Sequence, residues 1–80
     1  MSELRKLTDL NPGHSAVVKK LTASGSMRRR LQDMGFIEKS CVECLQKSPL
    51  GDPIAYLIKG TVIALRTEDS SNIIIHNPEN

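Results

Sequence analysis

Aromatic residues are nearly missing from this chain: Phe36 and Tyr56 are the whole complement among 80 residues, with no tryptophan. Without stacking platforms, single-stranded nucleic acid loses its main non-electrostatic hold. The aromatic-lined groove that grips proline-rich peptides cannot be built either. Long apolar runs are absent too. The longest, Ile54-Ala55-Tyr56-Leu57-Ile58, falls far short of the roughly eighteen residues that cross a bilayer. Met1 to Lys6 has no apolar segment of the secretory type. A cytoplasmic location with no direct membrane insertion is therefore expected, and both cysteines should be reduced. Excess charge of one sign is also lacking: 11 Lys+Arg against 9 Asp+Glu leave a net +2. That is too mild for a nucleic-acid footprint, so a nucleic-acid-binding barrel is the least favoured reading. Clustered carboxylates for a hard cation are missing, because Glu38, Glu43, Asp52, Glu68 and Asp69 are scattered. No nucleophile elbow, H-E-x-x-H pair or glycine-rich phosphate loop occurs. The chain does not read as an enzyme.

What is present amounts to one small domain, residues 1–80, with residues 77–80 as a tail. At this size roughly 60% of the unfolded surface is buried, enough for one thin core. Leu4, Leu7 and Leu10 precede Asn11-Pro12-Gly13, a turn in which proline fixes φ and glycine permits a positive one. Ser15 to Leu21, β-branched at its centre, reads as a strand. Met27, Leu31 and Met34 recur at i, i+4 and i+7, which predicts a helix over about 26–34 with an apolar face. Ser26 or Ser24 is placed to cap it. Gly35 stands where a left-handed C-terminal residue belongs, with Phe36 folding back behind it. From Ser40 the pattern turns to period two: Val42 with Cys44, then Ile54, Tyr56 and Ile58, then Thr61 to Arg66 after a Lys59-Gly60 turn, then Ile73 to His76. Thr67 to Asn72 is polar, suited to a short helical turn. About five short strands and one helix predict a mainly β fold, a small closed barrel of the SH3-like or OB-like kind.

Three constellations invite chemistry. Cys41-Val42-Glu43-Cys44 has the C-x-x-C spacing of a zinc knuckle. On a strand, however, positions i and i+3 face opposite sides, about 10 Å apart at 3.3 Å per residue. Neither a shared ion nor a disulfide suits that spacing, so Cys44 belongs in the core and Cys41 at the surface. His14 and His76 lie near the two ends and complete a weak set of metal candidates. A stand-alone metal-binding or metal-sensing protein is the alternative reading built on them. The methionines are thioethers, suited to Cu(I) and not Fe(II), and fit a helix face seated on a barrel. Arg28-Arg29-Arg30 oppose the helix dipole by about 0.3–1 kcal/mol each when exposed. Two readings stand side by side: a docking site for carboxylates or phosphate, or a solvated face in which Arg29 pairs with Asp33 and Arg30 lies over the barrel. The Pro49-Leu50-Gly51-Asp52-Pro53 segment is a hairpin connection with an exposed apolar tip at Leu50.

Four blocks, in order, resemble the FeoA family (ferrous iron transport protein A): Leu10-Asn11-Pro12-Gly13, Arg29-Arg30-Leu31-Gln32-Asp33-Met34-Gly35-Phe36, Pro49-Leu50-Gly51-Asp52-Pro53-Ile54 and Ile63-Ala64-Leu65-Arg66. The likeness runs from about Leu7 to Ile75. It implies an SH3-like barrel with a helix inserted after the first strand, of the kind also found at the C-terminus of DtxR-type iron-dependent repressors. It further implies a non-catalytic cytoplasmic role beside a membrane ferrous-iron transporter bearing a GTPase domain. Fe(II) enters by this resemblance alone, and no cofactor is assigned from the residues. The candidate partner contacts are Arg28, Arg29, Arg30, Leu50 and Asp52. One departure stands out: Glu38-Lys39 replaces the Pro-Gly that the family shows after the helix, so a different turn geometry is expected there.

Overall fold

The computed structural model describes residues 5–77. Its strands are β1 (Arg5–Lys6), β2 (Ser15–Leu21), β3 (Cys41–Lys47), β4 (Ile54–Ile58), β5 (Thr61–Leu65) and β6 (Ile73–His76). All pair antiparallel in one sheet of order β1-β6-β2-β3-β4-β5. Helix α1 (Gly25–Asp33) joins β2 to β3, and the four-residue α2 (Thr67–Ser70) joins β5 to β6. The architecture is mainly β and SH3-like. Among the described residues it has six strands where about five were expected, because β1, a two-residue strand on the edge of β6, has no periodic signature of its own. The sheet is also not a closed ring: among the described residues β1 and β5 remain as its two edges. Leu4 and the tail beyond Asn77 lie outside the described residues.

Period-two alternation builds the core. Ala16 and Val18 of β2, Val42 and Cys44 of β3, Ile54, Tyr56 and Ile58 of β4 and Ile73 and Ile75 of β6 all point inward and are buried. Register shifts at Lys19 in β2 and at Leu45 in β3 each insert one residue. Such bulges bend a strand and increase its twist, which wraps the sheet around its contents. The β4–β5 hairpin turns through Lys59 (φ 52) and Gly60 (φ 78), two consecutive left-handed residues as a type I′ turn requires.

Helix α1 lies across this core on Leu31, which is fully buried, with Met27 and Met34 partly buried beside it. The helix starts one residue earlier than expected. Ser24 takes the N-cap position in extended backbone, but its hydroxyl makes no capping bond, so neither serine caps as the sequence suggested. The other end follows the expected pattern. Gly35 has φ 110, and its N–H reaches the Gln32 carbonyl at 3.0 Å while the Phe36 N–H reaches that of Leu31 at 3.0 Å. These are the two bonds of a Schellman motif, which turns Phe36 back into the core. In the next turn the Ser40 N–H bonds the Ile37 carbonyl at 3.0 Å, and Lys39 takes φ 76. The expected change of geometry is therefore corrected: the turn keeps a glycine-type conformation and lysine adopts it. The Lys39 N–H bonding the Val18 carbonyl at 2.8 Å holds it there.

Candidate functional site

The three arginines of α1 have three different fates. Arg30 crosses to α2 and pairs with Asp69 at 3.0 Å, a carboxylate that is nearly buried. A charge this covered needs a partner, so Arg30 is committed to tying the two helices together. Arg28 bends back over the end of β2, where an Nη donates to the Leu21 carbonyl at 3.4 Å. Among the described residues the Arg29 guanidinium makes no ion pair or hydrogen bond. The Arg29–Asp33 pair that a plain solvated face would show is absent among them, and the pair that forms is Arg30 with Asp69.

Arg28 borders a cleft of about 350 Å³ between the last residues of β2, the exposed side of α1 and the segment leading to β3. Lys19 and Lys20 stand on one side and Arg28 with Gln32 on the other. Glu38 also lines it, and the apolar members of the lining are Leu21, Phe36 and Ile37. Phe36 shows no exposure of its own, whereas Ile37 is 41% exposed. Three cations against one carboxylate make the cleft electropositive. Arg28 alone among these was singled out from the sequence. Two adjacent lysines in a strand should face opposite sides, yet both are exposed because the bulge at Lys19 breaks the alternation. The violation of period two at Lys19-Lys20 was the available signal.

The β3–β4 connection is a folded loop. Ser48 donates through Oγ to the Pro53 carbonyl at 2.7 Å, the Gly51 N–H bonds the Ser48 carbonyl at 2.7 Å, and the Asp52–Pro53 peptide is cis. Leu50 at its tip is 95% exposed. Asp52 turns the other way: its Oδ1 accepts the Thr67 N–H at 2.8 Å and its Oδ2 stands 3.6 Å from Arg66. This carboxylate caps the start of α2, where negative charge is favoured.

The metal candidates do not converge. Cys41 is exposed and Cys44 buried, on opposite faces of β3. Val17 pairs with Cys41 on one side and His76 on the other, which sets those two about 9–10 Å apart across the sheet. His14 is exposed, and its carbonyl accepts the Cys44 N–H at 3.0 Å. Among the described residues no three of His, Cys, Asp or Glu form a metal-binding group. Burial pushes the Cys44 thiol up, against the nearby Lys47 charge. Burial also pushes the Tyr56 phenol up to about 12, opposed by a hydrogen bond with Ser70. Its hydroxyl lies 3.5 Å from the Leu7 carbonyl. Both groups are neutral core members.

Among the described residues no helix is long and apolar enough to cross a membrane. The model of the FeoA domain matches residues 5–77. The Fe(2+) transport protein A/Fe(2+) transporter FeoB fusion protein of Porphyromonas gingivalis is 34% identical over 68 residues, which are 85% of this chain and 8% of that protein. The solution structure of iron(II) transport protein A from Clostridium thermocellum superposes with a TM-score of 0.88 at 37% identity, over 91% of this chain and 45% of that one. That of FeoA protein from Chlorobium tepidum superposes at 0.86 with 32% identity, over 94% and 71%. The chain thus spans less than half the length of the first two. IdeR of T. acidophilum, at 17% identity and a TM-score of 0.81 over 94% of this chain and 34% of that one, shares the fold.

Proposed function

The chain belongs to the FeoA family, and on that premise we propose that it is a non-catalytic module of ferrous iron uptake. It docks on the cytoplasmic, GTPase-bearing part of a membrane Fe(II) transporter and modulates transport or assembly. The observation that carries this reading is the fusion: in the P. gingivalis protein, a segment similar to 85% of this chain is continuous with the transporter FeoB. Joining two modules turns their encounter into an intramolecular one, at millimolar effective concentration for short flexible linkers. Such a link favours partners that work in contact. The described residues add a module with an electropositive cleft. Fe(II) is in this reading the transporter's cargo. A carrier role built on Cys41 and Cys44 has no support from two thiols on opposite faces of one strand.

The test is biolayer interferometry between this protein and the soluble cytoplasmic domain of the Fe(II) transporter from the same organism. Saturable one-to-one binding that weakens as salt shortens the Debye length from ~10 Å at 0.1 M to ~3 Å at 1 M is expected. Deletion of the module should lower Fe(II) uptake. No binding, together with undiminished uptake in the deletion strain, refutes the reading.

A further inference from the structure

We infer that the cleft between β2 and α1 receives an acidic segment of the partner protein, one carboxylate side chain beside an apolar one. The identity of that partner rests on the docking reading above; the chemistry of the segment rests on the cleft. Lys19, Lys20 and Arg28 surround it with three cations, while Leu21 and Ile37 offer apolar surface between them. Its volume of about 350 Å³ lies near the lower end of the range for ligand sites. That suits a few side chains and not a large cofactor. Arg28 is already oriented by its bond to the Leu21 carbonyl, so its planar fork is placed with less entropy left to lose. Gln32 adds an amide that both donates and accepts, as a peptide backbone requires. A nucleic acid is disfavoured on two counts. Phe36 and Tyr56, the only aromatics of the chain, are both fully buried and offer no base a stacking face. Glu38 in the lining repels a continuous polyphosphate strand but tolerates a single carboxylate with an N–H beside it.

Arg29 makes the inference sharp. It carries the same charge on the same helix, yet it does not line the cleft. Interferometry against the transporter's soluble cytoplasmic domain then compares Arg28→Glu, Lys20→Glu and Arg29→Glu with wild type. Circular dichroism and the dispersion of the amide NMR spectrum monitor the fold. An acidic residue suits the first turn of a helix, where Arg28 stands, and Lys20 and Arg29 are exposed, where substitutions usually change stability little. These variants should therefore fold, and Arg28→Gln repeats the test without charge reversal. Arg28→Glu and Lys20→Glu should weaken binding at least tenfold, much of it through slower association, whereas Arg29→Glu should stay within about threefold. In a second arm, the ¹⁵N-labelled protein alone is titrated with acetyl-Asp-Leu-Gln-amide, its neutral analogue acetyl-Asn-Leu-Gln-amide, and an oligothymidylate. The acidic peptide should shift the amides of Lys20, Leu21, Gln32 and Ile37 in wild type and not in Arg28→Glu, with the neutral peptide silent. If the transporter domain does not bind but the acidic peptide shifts these amides, the docking reading falls and the cleft assignment stands. If the domain binds Arg28→Glu and Lys20→Glu as tightly as wild type, the cleft assignment falls and docking stands. An acidic peptide that shifts none of these amides, or an oligothymidylate that shifts them at lower concentration, overturns the assignment to an acidic protein segment.

Discussion

Replacing Leu31 with alanine tests whether α1 is held by the core of the sheet or merely adjoins it. Leu31 is fully buried and is the helix's one wholly covered side chain, so α1 stands on a single apolar anchor with two methionines at its margins. The substitution deletes three carbon groups at ~0.8 kcal/mol each, about 2.4 kcal/mol of transfer free energy. The cavity left behind raises the total into the range of about 2–5 kcal/mol measured for such changes. A chain of 80 residues has roughly 4–12 kcal/mol in all, at 0.05–0.15 kcal/mol per residue. A loss near 3 kcal/mol should thus lower the melting temperature by roughly 12–24 °C, at 4–8 °C per kcal/mol for a domain of this size. Urea denaturation followed by far-ultraviolet circular dichroism measures it, with the slope of the transition unchanged if only stability is affected. Leu31→Met, nearly equal in volume, should cost less than about 1.5 kcal/mol. A Leu31→Ala midpoint equal to that of wild type would refute the reasoning, because α1 would then be seated by something other than this side chain. The same variant links stability to function. Arg28 and Gln32 reach the cleft from the helix that Leu31 anchors, so loosening it should weaken partner binding even though neither polar group is changed.

Tyr56 gives a pH prediction. Its folded pKa of about 12 exceeds the ordinary ~10 of the unfolded chain, so the folded state holds this proton more tightly. The contribution is fully present below about pH 10 and is lost as pH rises from there through 12, ~3 kcal/mol in all. Urea titrations across that window should show the decline, and a Tyr56→Phe variant that declines just as much would refute the assignment. The two thiols should differ in reactivity, since the thiolate is the nucleophile and Cys44 is buried with a raised pKa. Ellman's reagent should titrate one thiol quickly in native wild type and none quickly in Cys41→Ser, and two fast thiols in native wild type would contradict the strand geometry. Lys39→Gly should stabilise the fold by about 1 kcal/mol, because a left-handed conformation costs an L-residue roughly 1–2 kcal/mol and part of that relief is offset by glycine's freedom in the unfolded chain. Destabilisation measured by urea midpoint would mean that the Lys39 side chain, and not its backbone, is what the turn requires.

Much of the architecture was legible because it is written in short-range patterns. The alternation of Ile54, Tyr56 and Ile58 defines a face whatever lies opposite it, and the left-handed requirement of Gly35 is a property of one residue's sterics. The opposite orientation of Cys41 and Cys44 followed from the pleat alone, which is why a motif resembling a metal knuckle was correctly set in a strand. The family likeness was legible for a similar reason: three of its four blocks are turns or a helix end, where particular residue types are demanded by backbone conformation, and the fourth lies mainly in β5. Strand β1 escaped notice because two residues carry no period. The serine cap was expected at α1 from residue type, but a hydroxyl that is able to cap need not turn toward the helix.

By itself, then, the sequence determined the strands β2 to β6, the helix with its glycine stop, the content of the core and the separation of the two thiols, since each depends on dihedral preference and on which side of a strand or helix a residue occupies. Only the tertiary structure decided which arginine does what. Arg30 meets Asp69 across 39 positions of chain, and Arg28 joins Lys19 and Lys20 around one cleft through the packing of α1 beside a bulged strand. Adjacent charges on a helix look equivalent in one dimension. They part company because a helix turns about 100° per residue, so three consecutive side chains point into three different surroundings, and those surroundings come from distant segments of the chain.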